Sequence, residues 1–230
     1  MRNICLSIFL IISCFLQAQT STATQTNIKE DNAKDKRRFK GMVIAGFNVA
    51  QVDGDRMGGY YKFGFNGGVG AFAMIKKKFS ISAELLYNMK GARSQLSTSR
   101  VSSRIIQLDY AEAPIMFNYH DKKLAIFGLG FSFGGLIRQK QLTFDAFGNE
   151  TGQLKLPNGS FISNENYVAG YKKYDFQFIG HVTFIIKKII GIQGRFGYSI
   201  APIGVGMADG NLKNSKQWNN VLSLRTMYIF

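Results

Sequence analysis

His181 and Thr183 stand two positions apart in an alternating stretch, Tyr174 to Ile186, that also carries Asp175. A histidine, a hydroxyl and a carboxylate on one strand face are the parts of a nucleophilic set, in which the base activates the hydroxyl and the carboxylate orients the base. Glu84 offers a second carboxylate on a polar strand face. The competing reading is a hydrogen-bonded interior histidine. It is favoured, because no serine sits at a strand-to-helix elbow. The other histidine, His120, falls in a short polar turn, Tyr119 to Lys123. Asp53-Gly54-Asp55 brings two carboxylates together, but the third carboxylate and the Glu of a calcium loop are missing, and a tight turn accounts for it. Gly128-Leu129-Gly130, followed by Gly134-Gly135, is not a dinucleotide fingerprint, because no helix follows. No catalytic, metal-binding or cofactor-binding residue is therefore assigned, and no enzyme is expected.

What remains is a set of charges on polar faces: Glu84, Lys90, Asp175, Arg195 and Arg225, with Asp109 or Glu112. If those faces are interior the charges must pair, because a lone buried charge is expensive. The elements that would hold them are legible from period. In Phe79 to Lys90 the odd positions are Phe, Ile, Ala, Leu, Tyr and Met, and the even ones mostly Ser, Glu, Asn and Lys. Tyr174 to Ile186 and Ile190 to Ile200 alternate in the same way, with the apolar set on even positions. A period of two over eleven or more residues makes a strand with two chemically different faces. No segment after residue 40 keeps a helical period.

Eight such strands are expected, at about 41–51, 63–75, 79–91, 104–118, 124–138, 172–186, 189–201 and 218–230. Short turns (Lys76-Lys77-Lys78, Tyr119 to Lys123, Lys187-Lys188) alternate with long polar connections at 52–62, 92–103, 139–171 and 202–217. Long strands with short and long connections in alternation are the pattern of an up-and-down transmembrane barrel, and the strands exceed the ~9–11 residues needed to cross a membrane. The fold class is all-β, an eight-stranded antiparallel barrel. One face would meet lipid and the other a lumen just wide enough for side chains. Gly68, Gly70, Gly128, Gly130, Gly191 and Gly197 fall on inward positions, where they make room for long Arg and Tyr side chains. Pro114 within the fourth strand points to a bulge or an end of pairing.

The N-terminus has another character. Met1-Arg2-Asn3 precedes an apolar run from Ile4 to Leu16, too short for a spanning helix, and cleavage after Ala18 would fit a signal peptide over 1–18. Ile11-Ile12-Ser13-Cys14 loosely fits a lipobox, the alternative, although the apolar run continues past Cys14. Cleavage after Ala18 removes Cys5 and Cys14, the only cysteines, and with them thiolate chemistry. Residues 19–40 read as a basic tether, Ser/Thr/Gln-rich and then charge-dense, with Lys36-Arg37-Arg38 available to anionic headgroups. All 25 glycines lie after residue 40, so the barrel is assigned to 41–230.

The net charge of +15 sits in the tether, turns and loops, with no stacking platform for nucleic acid. Phosphates of lipopolysaccharide and anionic lipids are the expected partners instead. The mean hydropathy of −0.04 is then the average of a lipid-facing stripe and a polar interior.

The chain ends with Leu222, Leu224, Tyr228 and Phe230 on alternate positions. Tyr228 and Phe230 match the last strand of bacterial outer-membrane barrels, which the barrel assembly machinery recognises. The stretch from Gly46 to Gly68, with Asp53-Gly54-Asp55 and Gly58-Gly59-Tyr60-Tyr61, resembles the opening of PorT-like outer-membrane β-barrel proteins of Bacteroidetes-type bacteria. Glu84 to Gly91 and Leu108 to Pro114 resemble the next two signatures of that family. The resemblance covers about 41–230 and implies an eight-stranded barrel in the outer membrane. It also implies secretion-system proteins as partners, because the founding member is linked to type IX secretion. The matched motifs look structural, with turn glycines and paired charges. The expected function is a non-enzymatic structural or interaction role, exercised through the external loops or the periplasmic face. The largest loop, 139–171, with Asn149, Asn158, Phe161 and Tyr167, is the expected contact surface. The alternatives are an accessory role in type IX secretion and, behind it, a lipid-modifying barrel enzyme.

Overall fold

The computed structural model describes residues 39–55, 57–94, 103–121, 124–144, 150–151, 153–155, 161–163, 170–186, 189–206 and 215–230. The signal peptide, the tether up to residue 38, and Asn149, Asn158 and Tyr167 lie outside them.

Eight long strands dominate: β1 (Phe39–Asp53), β2 (Lys62–Lys76), β3 (Phe79–Arg93), β4 (Ser103–Asp121), β5 (Ala125–Phe144), β6 (Tyr174–Ile186), β7 (Ile190–Ser199) and β8 (Ser215–Ile229). Each pairs antiparallel with its neighbours in chain order, and β8 pairs with β1, from Met42 opposite Ile229 to Asp53 opposite Trp218. The sheet is therefore a closed eight-stranded antiparallel barrel. At the seam Gly41 and Phe230 exchange two backbone hydrogen bonds, of 3.1 and 3.0 Å. Closure removes the edges that make long strands prone to pair with other chains.

The alternation in sequence becomes two surfaces. Along β3, Ile81, Leu85 and Tyr87 point outward and stay exposed, while Ser80, Ser82, Glu84, Asn88 and Lys90 point inward and are buried. The same rule holds in β6 and β7, where Phe176, Phe178, Phe184, Ile192 and Phe196 are outward. Outward aromatics stack across strands, as with Phe131 and Phe176 at 5.7 Å and Phe133 and Tyr174 at 5.4 Å.

Several strand limits differ from the sequence reading. Phe39 and Lys40, read as tether, are the first residues of β1. His120, read as a turn residue, is the penultimate residue of β4. β5 runs to Phe144, so the long connection after it begins well beyond residue 139. Cross-strand partners sustain these extensions, for example Arg104 with Gln141 and Arg138 with Asp109. Pro114 makes no bulge. The β4–β5 register runs through Pro114 opposite Ser132 without a shift, and the β3–β4 register is the same on both sides of it. The β4–β5 bulge lies instead between Asp109 and Tyr110, where the partner jumps from Arg138 to Leu136 and Ile137 is the extra residue.

Inside, two apolar clusters bracket a polar middle. At the end of the short turns Met42, Ile44, Leu86, Met227 and Ile229 pack together, with Phe72 and Ile185 against them. At the end of the long connections Val52, Ala92, Ile106, Leu108 and Tyr110 gather around Tyr171 and Ile203. Tyr171 and Ile203 come from the connections themselves. A short strand at Gly204–Gly206 holds them in place by pairing with both β8 and Gly170–Tyr171.

Candidate functional site

The polar middle of the barrel is built from inward positions of all eight long strands, because each strand with alternating chemistry delivers one polar side chain every second residue. Its charged members form two triads at different heights.

The triad nearer the short turns is centred on Glu84 of β3. Arg195 of β7 donates from Nη2 to Glu84 Oε1 at 2.7 Å, and Arg225 of β8 donates from Nη1 to Oε2 at 3.1 Å. One carboxylate thus lies between two guanidinium groups, all three buried. The triad nearer the long connections inverts the signs. Lys90 of β3, fully buried, sits between Glu112 of β4 and Asp175 of β6, the latter at 3.2 Å. Ser199 and Asn219 donate to the two oxygens of Asp175 at 2.7 and 2.8 Å, and Asn88 donates to Glu112 at 2.8 Å. The Lys90 ammonium also stands 4.9 Å from the Tyr110 ring centroid, within cation–π range.

Thus Glu84, Arg195 and Arg225 are brought together, and Lys90 and Asp175 are brought together with Glu112. Asp109 belongs elsewhere: its Oδ2 accepts from the exposed Arg138 at 2.6 Å, next to the bulge. Charge and period alone could identify these ions. They could not reveal the neutral members, because Asn48, Asn88, Asn118, Gln193, Ser199 and Asn219 are common on any polar strand face. The signal that could have found them is their inward parity on the same strands as the ions.

His181 does not belong to a nucleophilic set. Its Nε2 lies 3.0 Å from Asn118 Oδ1, and its Nδ1 lies 3.2 Å from Thr183 Oγ1 and 3.1 Å from Gln193 Nε2. Among the described residues neither ring nitrogen meets a carboxylate, since Glu84 is held by two arginines and Asp175 lies in the other triad. Gly128 is the reason the ring fits: a Cβ there would collide with His181 Nε2 and Asn118 Oδ1. That glycine makes room for an imidazole and an amide, where an Arg or Tyr was expected. Gly70 likewise faces Glu84 and Met42, whereas added side chains at Gly68 and Gly130 would meet backbone carbonyls of the next strand. His120 Nε2 lies 2.7 Å from Ser80 Oγ, and Asn118 donates to Ser82 at 2.9 Å. With Gln193 in contact with Thr183 and Arg225, a continuous polar path joins His120 to the Glu84 triad.

At the other end, Asp53-Gly54-Asp55 is a tight turn, with Gly54 at φ 89°. Asp55 Oδ1 accepts from the Met57 backbone at 2.7 Å, and Asp53 accepts from Gln51 and Asn220. Burial pushes the Asp55 carboxyl up to about 6 against the opposing effects of that hydrogen bond and of Arg104. Among the described residues no group of three or more His, Cys, Asp or Glu side chains is placed to hold a metal ion.

A family model described as an outer membrane protein β-barrel domain matches residues 17–204. Among solved structures the chain is similar to Ail, the attachment invasion locus protein of Yersinia pestis, with 11% identity, 83% of this chain and 98% of that chain covered, and a TM-score of 0.45. It is also similar to Neisserial surface protein A, with 13% identity, 84% and 97% covered, and a TM-score of 0.39. A third is the outer membrane protein OprG of Pseudomonas aeruginosa, with 9% identity, 84% and 95% covered, and a TM-score of 0.40. No curated protein matches the chain.

Proposed function

The chain belongs to the family of outer membrane protein β-barrel domains and lies in the bacterial outer membrane, and from that premise we propose that it is a non-enzymatic barrel that works by binding at its ends. The observation that carries this reading is the filled lumen. Two ion triads occupy the middle, and an apolar cluster stands across each end. A solute would have to separate buried ion pairs to pass, and breaking one such pair costs about 3–5 kcal/mol. The histidine with the most elaborate surroundings is spent on amides, which supports a structural role for it over a catalytic one. The surfaces left for recognition are the long connections, which face outward in such barrels, and the short turns with their lysines, which face the periplasm. The basic turns and tether suit phosphates of lipopolysaccharide and anionic headgroups. Tyr228, outward on β8 at the seam, and Phe230, exposed just past its end, suit recognition by the assembly machinery.

Within the family we place the chain among PorT-like barrels. Support comes from the way the matched stretches meet: Leu86 to Lys90 on β3 pairs with Leu108 to Glu112 on β4, and together they supply Lys90 and Glu112 to one triad and the Tyr110 ring beside it. An accessory role in type IX secretion follows from that placing. The test has two arms. The purified barrel in planar bilayers should give no stepwise conductance, and a steady open channel would overturn the plugged-barrel reading. Deletion of the gene should alter the profile of secreted or surface proteins. Unchanged profiles would remove the secretion role and leave the barrel assignment standing.

A further inference from the structure

The outer wall is not uniformly convex. Across β4 to β8, in the half nearer the short turns, it carries an open depression of about 670 Å³ with an almost wholly apolar lining. Phe117, Phe127 and Leu129 form one side, and Phe196 and Leu222 the other. The floor is Gly180 on β6 and Gly194 on β7. Gly180 lies between Leu129 and Phe196 of its neighbouring strands, and Gly194 lies between Val182 and Leu224. The volume is that of a ligand cleft.

These two glycines differ from the inward ones. A Cβ on Gly194 would meet nothing within 4 Å, and one on Gly180 would touch only Leu129 Cδ2 at 3.3 Å. Neither is demanded by the protein's own packing, and glycine weakens a strand interior. Their smallness leaves space on the outer surface that no side chain of the protein fills. Phe127, Leu129, Phe196 and Leu222 stand around them, so two open glycines on adjacent strands leave a depression between large apolar side chains.

We propose that this groove is a lipid site that seats one acyl chain of a phospholipid of the outer membrane's periplasmic leaflet. The inference rests on the outer-membrane placement of the family and is independent of any secretion role. Three observations favour a lipid chain over a protein partner. The groove is continuous with the surface that lies against the bilayer. Its lining offers almost no polar atom for a specific protein contact. A second copy meeting it about a two-fold axis would set one hollow against another, enclosing a void where a tight interface needs interdigitating side chains.

The test is to count bound lipid. Wild-type barrel is equilibrated with vesicles of phosphatidylethanolamine and phosphatidylglycerol, extracted in mild detergent and examined by native mass spectrometry. Gly194→Leu and the bulkier Gly180→Phe fill the floor. Gly135→Phe, at an outward position that is also open but lies outside the groove, is the control. Wild type and Gly135→Phe should retain one phospholipid that both filled variants lose. Equal lipid counts in all four proteins would overturn the proposal, as would a wild-type dimer that the filled variants split. Folding of each variant is verified by its heat-dependent gel migration. Gly194→Leu, whose Cβ has free space, keeps the test decisive if Gly180→Phe does not fold.

Discussion

Glu84 is the residue on which the interior depends most. It pairs with Arg195 and Arg225 at once, so Glu84→Ala leaves two guanidinium groups with no other carboxylate in contact among the described residues. Loss of a partner from a buried pair costs about 3–5 kcal/mol, because the remaining charge is uncompensated. Urea unfolding in detergent micelles should show a lowered midpoint and an unfolding free energy reduced by about that amount, and a midpoint unchanged from wild type would refute the triad. Asp55 gives a prediction in pH. Its folded pKa of about 6 lies above the ordinary aspartate value of 3.8, so the folded turn favours the protonated acid. The stability this contributes is fully present below about pH 4 and is lost as pH rises through 6. Hydrogen exchange in the β1–β2 connection should quicken over that interval beyond its intrinsic pH dependence. Asp55→Asn should abolish the extra change, with Asp53 and Arg104 left as the neighbouring charges.

Strands explain which parts of this molecule could be read without coordinates. Alternation in β3, β6 and β7 is unbroken because one face meets lipid and the other meets polar partners, so period and burial report the same fact. The limits of β4 and β5 were harder. Their outer thirds lack the strict apolar face, and they persist through Arg104–Gln141 and Arg138–Asp109 contacts that belong to tertiary pairing. Pro114 misled for a related reason: a missing N–H can be absorbed by a gap in one ladder while the other ladder keeps its register. The real irregularity is Ile137, an ordinary strand former with no local signature. Its role can be tested by deletion. Removing Ile137 leaves Arg138 opposite Asp109 and Leu136 opposite Tyr110 in one uninterrupted register and should preserve the folded gel band. Removing Leu129 from the regular ladder reverses the facing of the residues on one side of it and should abolish that band.

At the scale of the whole molecule, the ions of the site were identifiable as a set, but not as two triads. Which strand lies at which height depends on barrel stagger, and no local pattern encodes stagger. Burial also sets how the molecule responds to salt. Ions are screened over a Debye length of about 10 Å at 0.1 M salt when they are in solvent, and much less when enclosed. The unfolding midpoint of the wild type should therefore move little between low and high sodium chloride, and a steep salt-induced fall would mean that water reaches the triads.

The two triads have opposite odd charges. Arg195, Glu84 and Arg225 sum to one positive charge towards the short turns, and Glu112, Lys90 and Asp175 to one negative charge towards the long connections. The barrel thus holds a fixed electric dipole along the membrane normal while its six ions cancel overall. Drift in such an interior is epistatic. A charge lost from one triad ends the overall cancellation, so tolerated changes at these positions should arise with a compensating change at the other level.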